Sequence, residues 1–430
     1  MSNAHDFLTR KVLDALPHWQ RELWAPGREK LIAEYCWYPD WFFSVNRNEQ
    51  LAARPYVILV DGAPFHYLPA NPVGANWHVE EDGTLRRLPN GPNAHWIFVS
   101  RGFHDSLETV IDHLRTGRIE EAARFAGSLL HVVEDAGSAI HSLEGVDGTD
   151  PFVLDRLLQP PSGRMADMPG FVLRQDDAVD FDWETFRPTL LGTTIDETVF
   201  RLYSSFCAMV RANRFELVPM VHDLWRGENE SARTRISRTN RRMCGVAADL
   251  LSTLTCIACD RFEAGDRKRL ERVGLEELEP IDRPYILPGY EATPLVVDHN
   301  LDEQKRKVPL RLAMPDGVRT FEHGIGTGCH VEVLVAYDLP KDVYEHLRGS
   351  IGLHTELGRQ GAFAAEIRLA GRTILEDHFD AEHPAAEFDL PVRDGGMLEL
   401  FVRDRTGDWG TPHNHIVWGE PHLVRRGMER

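Results

Sequence analysis

Phe125-Ala-Gly-Ser-Leu-Leu-His-Val-Val-Glu-Asp-Ala-Gly-Ser-Ala-Ile-His141 is the stretch on which the reading of this chain turns. From Arg118 to Asp135, apolar Ala122, Phe125, Ala126, Leu129, Leu130 and Val133 recur at helical spacing, which predicts one amphipathic helix. His131 and Asp135 are one turn apart on that helix and project from the same face. Ala136-Gly137-Ser138 is expected to break the helix and swing His141 back toward the same point. Two imidazoles and a carboxylate converging in this way make a divalent-metal site, and zinc suits those ligands best. The plainer alternative is that the three residues only cap and flank a helix end. The apolar residues packed around them favour the metal site for the set.

At 430 residues the chain is too long for one ordinary core, so two or three domains are expected. Hydrophobic residues make up 42% and charged residues 27%, the balance of a globular protein. No stretch approaches about 18 consecutive apolar residues, so no transmembrane segment is expected. The opening Met1-Ser2-Asn3-Ala4-His5-Asp6 lacks the basic and apolar regions of a secretory signal. A cytoplasmic protein and one whose leader was removed or never cloned both fit that beginning. Lys and Arg number 48 against 67 Asp and Glu, a net charge of −19. That disfavours a sequence-independent interface with duplex nucleic acid, and no basic aromatic-rich groove for single strands is evident. It leaves room for a metal that attracts one phosphate. Of the six cysteines, only Cys256-Ile-Ala-Cys259 is tightly spaced, inside an apolar helix pattern. A structural zinc would need a second pair, so buried core is the expectation there, and no disulfide framework is indicated.

The periodicity changes along the chain and predicts a multidomain protein. An all-α region over residues 1–265 is followed by a linker over 266–306 and an all-β jelly roll or sandwich over 307–430. Helices are predicted at Phe7 to Leu16, ended by Pro17, then at Arg28 to Tyr35, Ser106 to Arg115, Ile119 to Asp135, Thr194 to Arg211 and Arg235 to Phe262. Residues 61–94 and 145–190 read as long irregular stretches, of the kind that are functional or inserted. The linker is rich in charge and proline. After it come short alternating runs such as Val331-Glu-Val-Leu-Val-Ala and Met397-Leu-Glu-Leu-Phe-Val, separated by Gly and Asp turns.

Three upstream residues are further candidate ligands: His5, Asp40 in Tyr38-Pro39-Asp40, and His66 in His66-Tyr67. Singly each has a plain reading as a frayed terminus, an N-cap or a loop histidine. In order, followed by His131-x3-Asp135-x5-His141, they resemble the zinc-dependent phospholipase C family and its relatives, the fungal single-strand-specific nucleases. The resemblance covers roughly residues 5–260, and the 125–141 motif is its specific part. It implies an all-helical fold holding one to three zinc ions that hydrolyses phosphate esters. It assigns metal ligation to His5, Asp40, His66, His131, Asp135 and His141, with Asp40 also bridging two ions and orienting or deprotonating the attacking water. Such a centre needs no protein nucleophile, and no Gly-x-Ser-x-Gly or Cys/His signature competes for the role.

Two departures from that pattern are visible. No tryptophan precedes His5, whereas the family's first ligand is an N-terminal tryptophan. The family's second His-x3-Glu or His-x3-Asp pair is also missing, because no histidine lies between His141 and His222. His222 has Arg226 where the carboxylate should be. A cluster short of ligands would hold fewer ions, take His222 from another direction, or be a relic.

From Lys307 to about residue 425 the chain resembles the NPCBM module, a β-sandwich assigned to carbohydrate binding and often attached to secreted glycosidases. The matching stretches are Phe321-Glu-His-Gly324-Ile-Gly326-Thr327, Tyr337-Asp-Leu-Pro340, Gly349-Ser-Ile-Gly352-Leu353 and His413-Asn-His415-Ile-Val-Trp418. Gly324 and Gly326 are expected to supply turns, Trp418 to fill the core, and Trp409 is a candidate for stacking on sugar. Together the two resemblances imply a zinc-dependent phosphodiesterase, phospholipase C-like or nuclease-like. Its partners would be a phosphate-ester substrate and a glycan or cell-surface polysaccharide. The alternative is a catalytically impaired metal-binding or glycan-binding protein that keeps the fold. The second resemblance also implies a secreted or cell-surface protein.

Overall fold

The computed structural model describes residues 4–37, 93–138, 186–281, 295–329, 331–407 and 413–427, with four short strands between 59 and 87. It divides into two compact units, Met1–Glu263 and Ala264–Arg430. Helices fill the first and sheets the second.

The first unit begins with α1 (Ala4–Ala15), α2 (His18–Trp24) and α3 (Arg28–Ala33), then a single 3-10 turn at Tyr35–Trp37. α1 ends before Pro17, which disfavours a helical residue ahead of it. α2 was not expected. It is only seven residues long, and its buried contacts are polar at the tip: Gln20 Nε2 donates to Ser252 Oγ at 3.0 Å and Trp24 Nε1 to Thr255 Oγ1 at 2.9 Å. Two antiparallel pairs follow, β1 (Leu59–Val60) with β2 (Ala63–Pro64) and β3 (Trp77–Val79) with β4 (Leu85–Arg87). The front unit is therefore helical without being purely α, and strands occur inside the 61–94 stretch that read as irregular.

The main helices are α4 (Asn93–Arg115), α5 (Ile119–Gly137), α6 (Ile195–Trp225) and α7 (Asn229–Cys259). α5 buries Ala122, Ala126, Leu129, Leu130 and Val133, the stripe read from sequence. Each large side chain so buried contributes about 1.5–3 kcal/mol. α6 starts where expected, with Thr194 Oγ1 accepting from Glu197 N–H at 3.2 Å, but runs past Arg211 and through Pro219 to Trp225. The continuation is held by packing against α7: Leu217, Met220 and Leu224 are buried, and Glu216 accepts from Arg235 at 3.1 Å and Arg238 at 2.7 Å. α7 is long and apolar enough by composition to cross a membrane, yet 72% of its apolar window is buried, as in a core helix. All six cysteines are free, and only Cys259 is exposed.

The second unit opens with α8 (Ala264–Arg269) and β5 (Arg272–Gly274), then β6 (Val296–Val297), β7 (Asn300–Leu301) and β8 (Lys307–Val308). β5 pairs with the strand at 415–425, β6 pairs with the strand at 324–328, and β7 pairs with β8. The stretch expected to be a linker over 266–306 therefore contributes strands to the β unit, apart from residues 282–294, which lie outside the described residues. Strands of two or three residues carry too little alternation to be seen against proline and charge; partners elsewhere in the sheet define them.

The rest of the unit comprises β9 (Leu310–Met314), β10 (Gly317–Phe321), β11 (Gly324–Gly328), β12 (Glu332–Leu339), β13 (Tyr344–Leu353), β14 (Phe363–Leu369), β15 (Arg372–Phe379), β16 (Ala385–Pro391), β17 (Gly396–Asp404) and β18 (His415–Arg425). A six-stranded sheet runs β16-β13-β18-β11-β6, with β5 also against β18; a four-stranded sheet runs β12-β17-β14-β15. The arrangement is sandwich-like. Phe363, Ala365, Ile367 and Leu369 alternate buried along β14, and Leu398, Leu400 and Val402 do so on β17. Trp418 fills core at 1% exposure, edge-on to Phe388 with ring centroids 6.2 Å apart. Gly324 and Gly326 do not make turns. They sit inside β11, where a Cβ on either would come within 2.3 Å of a backbone carbonyl oxygen, of Trp418 and of His299 respectively. Trp409 lies outside the described residues.

A fragment of residues 264–430 should fold by itself and unfold cooperatively, whereas one starting at residue 307 should lose that transition because β5 and β6 are gone. Circular dichroism and thermal melting of the two fragments check this. Equal stability would return residues 266–306 to the role of a linker.

Candidate metal centre

The site is built where α1, α5 and the 35–37 turn meet. Gly127 sets the spacing. A Cβ there would lie 2.6 Å from the Tyr35 carbonyl carbon, so only glycine lets α5 approach the turn so closely. One helical turn further along the same face comes His131, fully buried, whose Nδ1 lies 2.6 Å from the Cys36 carbonyl oxygen. The next turn brings Asp135, with Oδ2 3.1 Å from His131 Nε2.

α1 supplies the third group. His5 places Nε2 3.3 Å from Asp135 Oδ1 and Nδ1 2.7 Å from Glu134 Oε2. Its ring stacks on that of His131, centroids 4.2 Å apart, and meets Trp37 edge-on at 4.9 Å. Glu134 is buried as well, and its other oxygen accepts from Thr9 Oγ1 at 2.9 Å. Trp37 is held in turn by donating its indole N–H to Asp6.

The electrostatics follow from burial and proximity. Burial raises the Glu134 pKa, opposed by its bonds to His5 and Thr9. Burial alone would lower that of His5, but hydrogen bonds and charge from Asp135 and Glu134 outweigh it and hold the imidazolium well above its usual range. Burial pushes the Cys36 thiol far up, with Glu134 and Asp6 adding to the effect. Cys36 meets the site through its carbonyl, against His131 Nδ1.

These residues fit a divalent cation. One ligand atom from each of His5, His131 and Asp135 lies within 4.8 Å of the others. The two histidine-to-carboxylate distances, 3.3 and 3.1 Å, are close to those between neighbouring ligands of a tetrahedral zinc with bonds of about 2 Å. The hydrogen-bond inventory points the same way. Each imidazole faces an acceptor at both nitrogens, yet a neutral imidazole has one N–H to give. With Nδ1–H donated to Glu134 and Cys36, the two Nε2 atoms facing Asp135 call for two further protons or one doubly charged ion. Outer acceptors that fix the tautomer in this way are the usual support of histidine ligands.

Among the candidate residues, the structure brings together His5, His131 and Asp135. Asp40, His66 and His141 lie outside the described residues. α5 runs two residues past Asp135, through Ala136 and Gly137, and ends where Ser138 turns extended, inside the expected 136–138 break. His222 is not brought to this group: it is 63% exposed in the last turn of α6, 3.7 Å from Asp223 Oδ1. Glu134, Thr9 and the Cys36 carbonyl were not foreseen. An acid embedded between Val133 and Ala136 on an apolar helix, and a glycine four residues before a histidine, were the signals available.

Residues 289–424 match the family model of the NPCBM/NEW2 domain, beginning inside the stretch that precedes residue 307. No curated protein matches the chain. Among solved structures, the CBM51 of Clostridium perfringens GH95 in complex with methyl-galactose is similar at 20% identity and a TM-score of 0.30, over 36% of this chain and 99% of that one. CBM51-2 and INT domains from Clostridium perfringens ZmpB, in complex with GlcNAc, are similar at 18% identity and a TM-score of 0.30. That likeness covers 36% of this chain and 31% of the other, so this chain spans about a third of it. Alpha toxin from Clostridium absonum is similar at 11% identity and a TM-score of 0.33, over 100% of this chain and 95% of that one.

Glu134→Gln should weaken zinc binding about 10-fold or more, since a neutral amide is a poorer anchor for the His5 N–H. Competition with a chromophoric chelator measures it. Unchanged affinity would show that His5 needs no such anchor.

Proposed function

We propose that the chain is a metal-dependent hydrolase of phosphate esters whose β unit binds glycans. The observation that carries the first part is the convergence of His5, His131 and Asp135, with both imidazoles already oriented by outer acceptors. Zinc at these residues would polarise a phosphoryl oxygen and make a water acidic enough to react near neutral pH. His131 is fixed by the Cys36 carbonyl and His5 by Glu134, so neither ring has to be ordered when the ion binds. Asp135 supplies the negative charge that keeps a cation in place, and the Trp37 ring shields one side of His5 from water. The family match over residues 289–424 supports the second part.

A second reading has its own support. The three-residue group offers ligands for one ion, whereas clamping both sides of a phosphodiester commonly uses two. In this reading the helical unit keeps one structural ion without turnover, and the β unit is the functional half.

Hydrolysis of bis-p-nitrophenyl phosphate separates the two. The zinc-loaded chain should release nitrophenol, a chelator should stop it and added zinc should restore it. Asp135→Asn should lower the rate by about 100-fold or more at saturating zinc. A zinc-replete chain inert toward this ester, phospholipids and single-stranded nucleic acid would establish the second reading.

A further inference from the structure

The β unit carries a cleft of its own, between the β9–β10 hairpin and the six-stranded sheet. Its volume is about 460 Å³. That is within the range of sites for small ligands. The hairpin is seated firmly, because Leu310, Leu312, Met314 and Phe321 form one buried cluster with Ala385 and Val417 of the sheet. The cleft is therefore bounded by rigid elements on both sides.

Strand register decides what faces into it. Arg348 on β13 is paired across to Asp389 on β16 and to His422 on β18, so the three side chains rise from one face of the sheet. Arg348 Nε donates to Asp389 Oδ2 at 2.9 Å. On the hairpin side, Arg319 Nη1 donates to Glu387 Oε1 at 2.6 Å. The lining thus alternates guanidinium and carboxylate. His422 adds an imidazole whose Nδ1 meets the Glu420 carbonyl at 2.7 Å and whose pKa burial lowers, leaving Nε2 as an acceptor.

This pattern selects against charged ligands of either sign. An anion would meet Glu387, Asp389 and Glu420; a cation would meet Arg319 and Arg348. A sugar hydroxyl suits both, because it accepts from a guanidinium and donates to a carboxylate at the same time. Phe321 and Phe388 border the cleft but are 5% and 6% exposed, so they offer edges and not a stacking face. Recognition would then run through hydroxyl geometry.

We infer that this cleft is a subsite for one neutral hexose residue of a glycan, read by the Arg348–Asp389 and Arg319–Glu387 pairs. It rests on the proposal that the β unit binds glycans.

The test uses the full chain and calorimetric titration with the methyl glycosides of galactose, glucose, mannose and N-acetylglucosamine, and with a sialoside as the charged comparison. Binding of at least one neutral sugar is expected, with affinity lowered about 10-fold or more in Asp389→Asn and in Arg348→Ala. Both residues are substantially exposed, so the fold should survive; the isosteric Asn keeps the shape of the cleft in any case. Arg403→Ala, on the four-stranded sheet, should leave affinity unchanged. Full binding by both cleft variants would overturn the subsite while leaving glycan binding intact. A sialoside preferred over every neutral sugar would overturn the assigned chemistry. No binding of any sugar by the unaltered chain would overturn both the subsite and the glycan reading.

Discussion

The hydrogen bond between His131 and the Cys36 carbonyl is the constraint around which the helical unit is arranged. It is buried, joins residues 95 apart in sequence, and exists only because Gly127 lets α5 touch the turn at Tyr35. Once it forms, the ring orientation of His131 is set and Asp135 lies beside its Nε2. α1 then has one way to close the site, with His5 stacked on His131 and bonded to Glu134. A buried donor or acceptor left without its partner costs about 1–3 kcal/mol, so each of these contacts depends on the others being made.

Local periodicity carried much of the helical unit. The 118–135 stripe, the pairing of His131 with Asp135 and the stop at Pro17 all depend on neighbours within a few residues, which a sequence displays directly. The extension of α6 through Pro219 does not, because it rests on burial of Leu217, Met220 and Leu224 against another helix. His5 was reached only through the order of motifs shared with a family, since nothing in its own surroundings points to ligation. Glu134 was passed over for a simpler reason: an acid next to a candidate ligand looks like a solvated neighbour until its burial is known.

The β unit shows the same division. Long strands such as β14 and β17 declare themselves by alternation, and their buried faces are the ones their sequences suggest. The short strands at 272–274 and 296–297 are strands only because a long neighbour offers an unpaired edge. Glycines in β11 read as turn residues when taken alone; in the sheet they are places where a neighbouring segment's carbonyl comes too near for a side chain. Composition marks that something unusual occurs at such positions, and the topology decides what it is.

β18 has a consequence for how the chain comes into being. This last strand pairs with β13, β11 and β5, so it is the member that ties the early and middle strands of its sheet together. A ribosome releases it after all three of them. Until it emerges, those partners expose open hydrogen-bonding edges, and exposed edges are what other chains capture. The helical unit, complete by Glu263, has no such wait. Synthesis therefore passes through a period in which every helix of the first unit has been made while the six-stranded sheet still waits for its central strand.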